Sequence, residues 1–239
     1  MAHKGETLEY NEALQFSRKA MLDAGTRRQW PAGSLLLREG ELSDHVVVIE
    51  AGRVKVSSSA SSGKQVLLAI RGPGDLLGEF SAIDGRARSA TVTALSPVTA
   101  TVVPGKAFRA LLINDGKSTF SLLRMVVSRL READLQRLDY GAYTVSERLA
   151  RLLLDYAGRY GQTDDDRVVI TLPLSQTELA HAAGASREAV AKALRRLREL
   201  GAVRTARRRV ELLRPDLLAE LAEGLPSVHL DADGDGLPR

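Results

Sequence analysis

Between Leu35 and Val103 the apolar residues come in short runs separated by turn formers. The runs are His45–Ile49, Arg53–Val56, Gln65–Ile70 and Ala90–Val103, and the breaks are Glu50-Ala51-Gly52, Ser57–Gly63 and Gly72-Pro73-Gly74-Asp75. Several short strands at regular spacing predict a β-sandwich or barrel. Ahead of it, residues 8–25 read as a short amphipathic helix and Trp30-Pro31-Ala32-Gly33 as a turn. The serine-rich break is expected to be a flexible hairpin loop.

The period changes at Asp115. From there to Tyr140 there is no proline, and apolar residues recur at heptad spacing. Leu123, Leu130 and Arg137 form one row; Val126, Ala133 and Tyr140 form the other. Two such rows bury either against the helix's own domain or against a partner helix. Arg137 interrupts its row and is expected to pair with an acidic group across an interface or to snorkel outward. A hinge is expected at Tyr140-Gly141-Ala142.

Downstream, Thr144–Tyr160 reads as a helix, with Thr144 or Ser146 as N-cap and Gly161 just past its end. Arg167–Pro173 is an expected short strand pair. Ser175-Gln176-Thr177-Glu178 is a capping box, a hydroxyl with an acid three residues on. Its helix turns at Gly184-Ala185. A second helix then starts at Ser186 and runs to about Leu200, burying Val190, Ala193, Leu194 and Leu197. That is a helix-turn-helix pattern. Gly201–Arg204 and Val210–Leu213 bracket the basic stretch Thr205–Arg209, so two short strands around a charged tip make it a winged one.

The segment Gly78–Val92 carries the most specific chemistry. Arg88 and Ser89, with backbone N–H groups, can hold an anion, and Glu79 can accept from a hydroxyl beside it. A guanidinium suits phosphate because its planar fork donates two parallel hydrogen bonds, and a carboxylate suits a ribose hydroxyl because it only accepts. Spacing alone points more often to an ordinary turn between strands bearing an exposed arginine.

Charge adds a modest argument. The chain of 239 residues has net charge +4. Residues 144–214 hold 14 Lys/Arg against 9 Asp/Glu, whereas residues 215–239 hold 1 against 6. A basic region followed by an acidic tail fits a nucleic-acid module with a solvated extension. There is no cysteine, so disulfides, thiolate zinc sites and cysteine-held iron–sulfur clusters are excluded. The four histidines, His3, His45, His181 and His229, form no metal-ligand or catalytic pattern, which argues against an enzyme. The polar start is no signal peptide and no apolar run approaches a membrane span, so no membrane association and a cytoplasmic location are expected. Asp231–Gly236 matches half of a calcium loop, but its twelfth-position glutamate would fall beyond Arg239, so no metal site is expected.

The segment Gly78–Val92 resembles the phosphate-binding cassette of the cyclic-AMP receptor (catabolite activator)/fumarate-nitrate regulator family of bacterial transcription regulators, and the resemblance extends over residues 15–214. It implies an α+β chain: an N-terminal β-roll of jelly-roll type that binds a cyclic nucleotide (1–114), a long dimerisation helix (115–140), a winged helix-turn-helix (141–214), and a short helix with a disordered acidic tail (215–239). By resemblance, Gly78 and Glu79 contact the ribose, Arg88 and Ser89 the cyclic phosphate, and Phe80 and Ser81 complete the cassette.

The dimer helix departs from the family. Its two adjacent base-reading hydroxyl positions are here Ala133 and Asp134. Ala133 offers no hydrogen bond. Asp134 can accept from the adenine amino group, or from the two N–H donors on the guanine edge, or it can pair with Arg131 or with Arg137 of another subunit. Three outcomes stay open: cyclic AMP read differently, another ligand such as cyclic GMP or a cyclic dinucleotide, or ligand-independent regulation. A haem-based sensor has no motivating residue.

Gly184–Lys192 resembles the family's recognition helix. Arg187 can donate twice to guanine, Glu188 can accept from cytosine, and Lys192 stands where a second guanine-reading arginine is usual. Ser175, Thr177 and Ser186 are candidate phosphate anchors, as are Arg207 and Arg208 of the wing tip. The expected partners are a palindromic DNA operator, a second copy of the chain, and RNA polymerase. The ligand is cyclic AMP or another cyclic nucleotide, with no covalent cofactor.

Overall fold

In the computed structural model, which describes residues 19–59, 65–164, 167–172, 174–206 and 209–224, every apolar run contributes strand. The first unit contains β1 (Thr26–Trp30), β2 (Leu35–Leu37), β3 (Val46–Ala51), β4 (Val54–Ser59), β5 (Gln65–Arg71), β6 (Leu76–Leu77), β7 (Thr91–Ala94) and β8 (Val98–Val103). They form two antiparallel four-stranded sheets, ordered β1-β8-β3-β6 and β2-β7-β4-β5. The run Ala90–Val103 is not one strand. It breaks at Ser96-Pro97, where Pro97 lacks the N–H a ladder needs, so its halves enter different sheets.

The unbroken apolar stretch of β3 follows from burial on both faces. Val47 and Ile49 point between the sheets with Leu37, Val54, Leu77, Val92 and Ala100. Val46 and Val48 point the other way, onto helices carrying Ala82, Phe108, Leu122 and Met125. Those helices are α1 (Glu79–Asp84), α2 (Gly105–Asn114) and α3 (Gly116–Ala142). Of the segment read as an N-terminal helix, Lys19–Asp23 is helical and residues 8–18 lie outside the described residues.

The second part of the chain holds α4 (Val145–Tyr160), β9 (Gly161–Asp164), β10 (Arg167–Ile170), α5 (Gln176–Ala182), α6 (Arg187–Glu199), β11 (Val203–Ala206), β12 (Arg209–Leu212) and α7 (Pro215–Ala222). Its sheet is ordered β11-β12-β10-β9, all antiparallel. Gly161 is extended rather than left-handed, because β9 leaves directly from the end of α4.

Two compact units result. One comprises residues up to Leu138 with Leu172–Ala182; the other comprises Asp139–Thr171 and the chain from Ala183. The last turn of α3 therefore groups with the second unit. Among the described residues, no helix is long and apolar enough to cross a membrane, and no cluster of His, Asp or Glu is arranged to hold a metal ion. The acidic tail and its half calcium loop lie outside the described residues.

Candidate ligand pocket and nucleic-acid interface

The cassette is built on two left-handed glycines. Gly78 (φ 82°) ends β6 and opens α1, and Gly85 (φ 70°) closes it. A side chain at Gly78 would be strained, and it would collide with the Arg88 guanidinium. Arg88 is only 3% exposed. Its Nε donates to Ser43 Oγ (2.9 Å), Nη1 to the Gly78 carbonyl (2.8 Å) and Nη2 to the His45 carbonyl (2.6 Å). Of the five guanidinium hydrogens, these bonds leave one on each terminal nitrogen. Burial lowers the Arg88 pKa, opposed by Asp44, Glu79 and Glu41.

Glu79 is 4% exposed and starts α1. Its carboxylate accepts from Arg129 Nη1 of α3, while Arg129 Nη2 donates to the Leu76 carbonyl at 2.8 Å. Asp75 and Glu132 extend the network through Arg71, at 4.0 and 3.4 Å. Ser81 is buried, Phe80 is exposed and Ser89 is exposed. The cassette thus brings Gly78, Glu79 and Arg88 together around a charged network that also includes Ser43 and Arg129. Sequence spacing does not show those two, because they lie 45 and 50 residues from their partners.

On helix α3 the two heptad rows part at Val126, while Ala133 and Tyr140 are exposed. Leu123 and Leu130 are exposed at 56% and 59%. Val126, however, packs against the core of its own unit beside Leu122 and Met125, and Tyr140 packs on Gly184. At 100° per residue, Val126, Ala133 and Tyr140 fall on the Leu122 side of the helix, whereas Phe120, Val127 and Asp134 fall beside Leu123 and Leu130. Phe120, Leu123, Val127 and Leu130 are exposed apolar residues on that side, and the exposed Asp134 and Leu138 continue it. Ala133 lies one turn beyond Arg129 on a different side. Asp134 pairs with Arg137 of the same chain at 3.7 Å.

In the second unit, Thr144 is the N-cap of α4. It accepts from Glu147 N (3.4 Å), and Glu147 Oε2 accepts from Thr144 N (2.7 Å). Ser186 caps α6 by accepting from Ala189 N at 3.1 Å. Val190, Ala193, Leu194 and Leu197 form the buried face of α6. Arg187, Glu188 and Lys192 are all exposed. Arg195 continues the row of Glu188 and Lys192 by one turn, a candidate that the i, i+4, i+7 spacing could have shown. In the wing, β11 pairs β12 from Val203↔Leu212 to Ala206↔Arg209. Arg204 and Arg209 flank Glu211 at 3.3 and 3.0 Å; Arg207 and Arg208 lie outside the described residues.

Helix α5, in the first unit, carries the Ser175–Glu178 capping box. Glu178 N donates to Ser175 Oγ (3.2 Å), and Ser175 N donates to Glu178 Oε2 (2.8 Å). Ser175 Oγ also donates to Glu178 (2.9 Å), which commits the hydrogen a phosphate anchor would use. Thr177 is exposed. Burial pushes the Glu178 carboxyl up, but hydrogen bonds from Lys55 and Ser175 outweigh it and hold it below the usual value.

Two family models match the chain: a cyclic nucleotide-binding domain over residues 27–115 and a Crp-like helix-turn-helix domain over residues 147–221. A "CRP-like cAMP-activated global transcriptional regulator" of Mycobacterium tuberculosis is 33% identical over 193 residues, covering 81% of this chain and 86% of that protein. A "Cyclic AMP receptor protein" of Thermus thermophilus is 31% identical, covering 83% and 89%. Among solved structures, a CRP-family transcriptional regulator of Thermus thermophilus superposes with TM-score 0.71 at 25% identity, covering 82% of this chain and 96% of that one. FixK2 of Bradyrhizobium japonicum has the same fold, with TM-score 0.71 at 23% identity, covering 82% and 96%. The family matches indicate a transcription regulator rather than an enzyme, and the two matched domains lie in the two halves of the chain. The chain belongs to the cyclic-AMP receptor/fumarate-nitrate regulator family of bacterial transcription regulators.

Proposed function

We propose that this regulator is a homodimer that binds a palindromic DNA operator under the control of a cyclic nucleotide, with cyclic AMP as the favoured ligand. The observation that carries this reading is the Arg88 guanidinium, buried and held by three protein acceptors with two hydrogens left for an anion. Gly78, Glu79, Phe80, Ser81, Arg88 and Ser89 are its ribose and phosphate residues. The exposed seam Phe120–Leu130 supports pairing of two α3 helices. A symmetric dimer then presents two α6 helices about one DNA turn apart. Arg187, Glu188 and Lys192 read base edges, while Thr177, Ser186, Arg207 and Arg208 meet phosphates. The regulator acts in the cytoplasm, with RNA polymerase as its downstream partner.

A second ligand reading rests on Ala133 and Asp134. A carboxylate on the seam side of α3, at a position that reads the base, matches the donor edge of guanine, so cyclic GMP is the alternative occupant. A calorimetric panel of cyclic AMP, cyclic GMP and cyclic di-GMP on the purified full chain, repeated with operator DNA, separates the two. Cyclic AMP binding that tightens operator affinity supports the first reading. Cyclic GMP binding alone supports the second. Tight operator binding with no nucleotide effect overturns both.

A further inference from the structure

One guanidinium in the second unit holds four backbone carbonyls. Arg148, in the first turn of α4, donates from Nε to the Ala183 carbonyl (2.9 Å) and from Nη2 to the Gly184 carbonyl (3.2 Å). Its Nη1 donates to the Tyr143 carbonyl (2.8 Å), with the Tyr140 carbonyl at 3.5 Å. The first two acceptors form the turn just before Ser186, the N-cap of α6. The other two are carbonyls at the C-terminal end of α3, where no further helical N–H follows to pair them. A cation there also opposes the negative end of the helix dipole.

Tyr140 closes the same junction. Its ring lies under the Arg148 guanidinium at 5.6 Å and occupies the space that a Cβ at Gly184 would need. Gly184 has φ 60°, so both backbone conformation and packing require glycine there. A second arginine fixes the same end of α3: Arg151 pairs with Asp139 (3.4 Å), lies over the Tyr143 ring (4.4 Å) and donates to the Ala222 carbonyl of α7 (2.9 Å). These bonds explain why Asp139–Ala142, although helical continuations of α3, group with the second unit.

We propose that Arg148 is a positioning residue that couples the C-terminal turn of α3 to the start of the DNA-reading helix α6. This inference rests on α6 being that helix. The end of α3 and the turn at Ala183-Gly184 then keep one geometry, and a displacement of the α3 terminus reaches Ser186 and Arg187 directly. Lysine cannot replace Arg148: its single ammonium cannot span carbonyl pairs on two segments, whereas the planar fork can.

The test uses the full chain with Arg148→Lys and Arg148→Gln. Thermal melting first establishes that each variant folds, and Arg148→Lys, which keeps the charge and most of the stem, is expected to melt near the parent. Hydrogen exchange is then measured without DNA or nucleotide. The amides of residues 186–190 should exchange about tenfold faster in both variants, with those of residues 120–129 unchanged. With cyclic AMP and operator DNA, nucleotide affinity should stay within about twofold, while the nucleotide's enhancement of operator affinity falls about tenfold or more. Parental exchange at residues 186–190 in a folded Arg148→Lys variant overturns the proposal. If the parent itself shows no nucleotide effect on operator binding, the functional reading fails while the exchange result still decides the role of Arg148.

Discussion

Arg129, midway along α3, donates a hydrogen bond to the Glu79 carboxylate at the start of α1. The bond joins the residue assigned to the ribose with the helix assigned to the dimer. Both side chains are largely out of solvent, at 16% and 5% exposure. Removing one partner of such a pair leaves an uncompensated charge, which costs about 3–5 kcal/mol, whereas replacing both is far milder. Arg129→Met should therefore lower the denaturant midpoint strongly, and Glu79→Gln combined with Arg129→Met should recover much of the loss. Chemical unfolding of the four species in a double-mutant cycle measures this. Simple additivity would mean that the bond contributes nothing.

Ser43 fixes the orientation of Arg88 through its Nε. Ser43→Ala removes an acceptor from a charged donor, at a cost of about 1.5–3 kcal/mol where the guanidinium cannot find another. The expected result is nucleotide affinity about tenfold weaker, with an unchanged binding stoichiometry by calorimetry. Arg88 itself should stay folded in place, because its two carbonyl acceptors are main-chain atoms.

Acid should weaken the same region. Burial, and next the Arg88 charge, hold the His45 imidazole below its ordinary value of 6.5, with Arg28 acting the same way and Asp44 and Glu41 opposing. The folded chain thus binds this proton less readily than the unfolded chain. Its contribution is complete above about pH 6.5 and declines as pH falls from there through the folded value. Unfolding midpoints should drop between about pH 7.5 and pH 5.5, and His45→Gln should flatten that part of the slope.

Arg187 is exposed in the first turn of α6. Arg187→Ala should cost about 1–3 kcal/mol at one base pair of each half-site and relax discrimination there. Nucleotide affinity should be unaffected. Fluorescence anisotropy with operator and base-substituted duplexes reads both effects.

The fold was legible where one periodicity ruled. The run Val46–Ile49 marks a strand buried on both faces, and Val190, Ala193, Leu194 and Leu197 mark the inner face of α6. The hydroxyl caps offered at Thr144 or Ser146 and the Ser175–Glu178 capping box marked the starts of α4 and α5 because such bonds are local, although the Glu147 half of the α4 box emerged only in the structure. Helix α1 was hidden because six residues between two glycines make too short a pattern to separate from a loop. Helix α3 left two options open because apolar residues lie on two sides of it: Val126 serves its own core, while Leu123 and Leu130 face outward. Heptad spacing finds such rows but does not say which one faces the core. Arg129 and Ser43 were hidden for a different reason. Their partners are distant in sequence, and only folding brings the charges together.

Nucleotide control of this regulator hinges on Arg88 as the seat of a phosphate. Calorimetric titration of cyclic AMP and cyclic GMP into the full chain and its Arg88→Ala variant tests this directly, with thermal melting to confirm that the variant is folded. The structure predicts that the parent binds one of them and that binding is lost in the variant. Equal nucleotide affinity in parent and variant would contradict it.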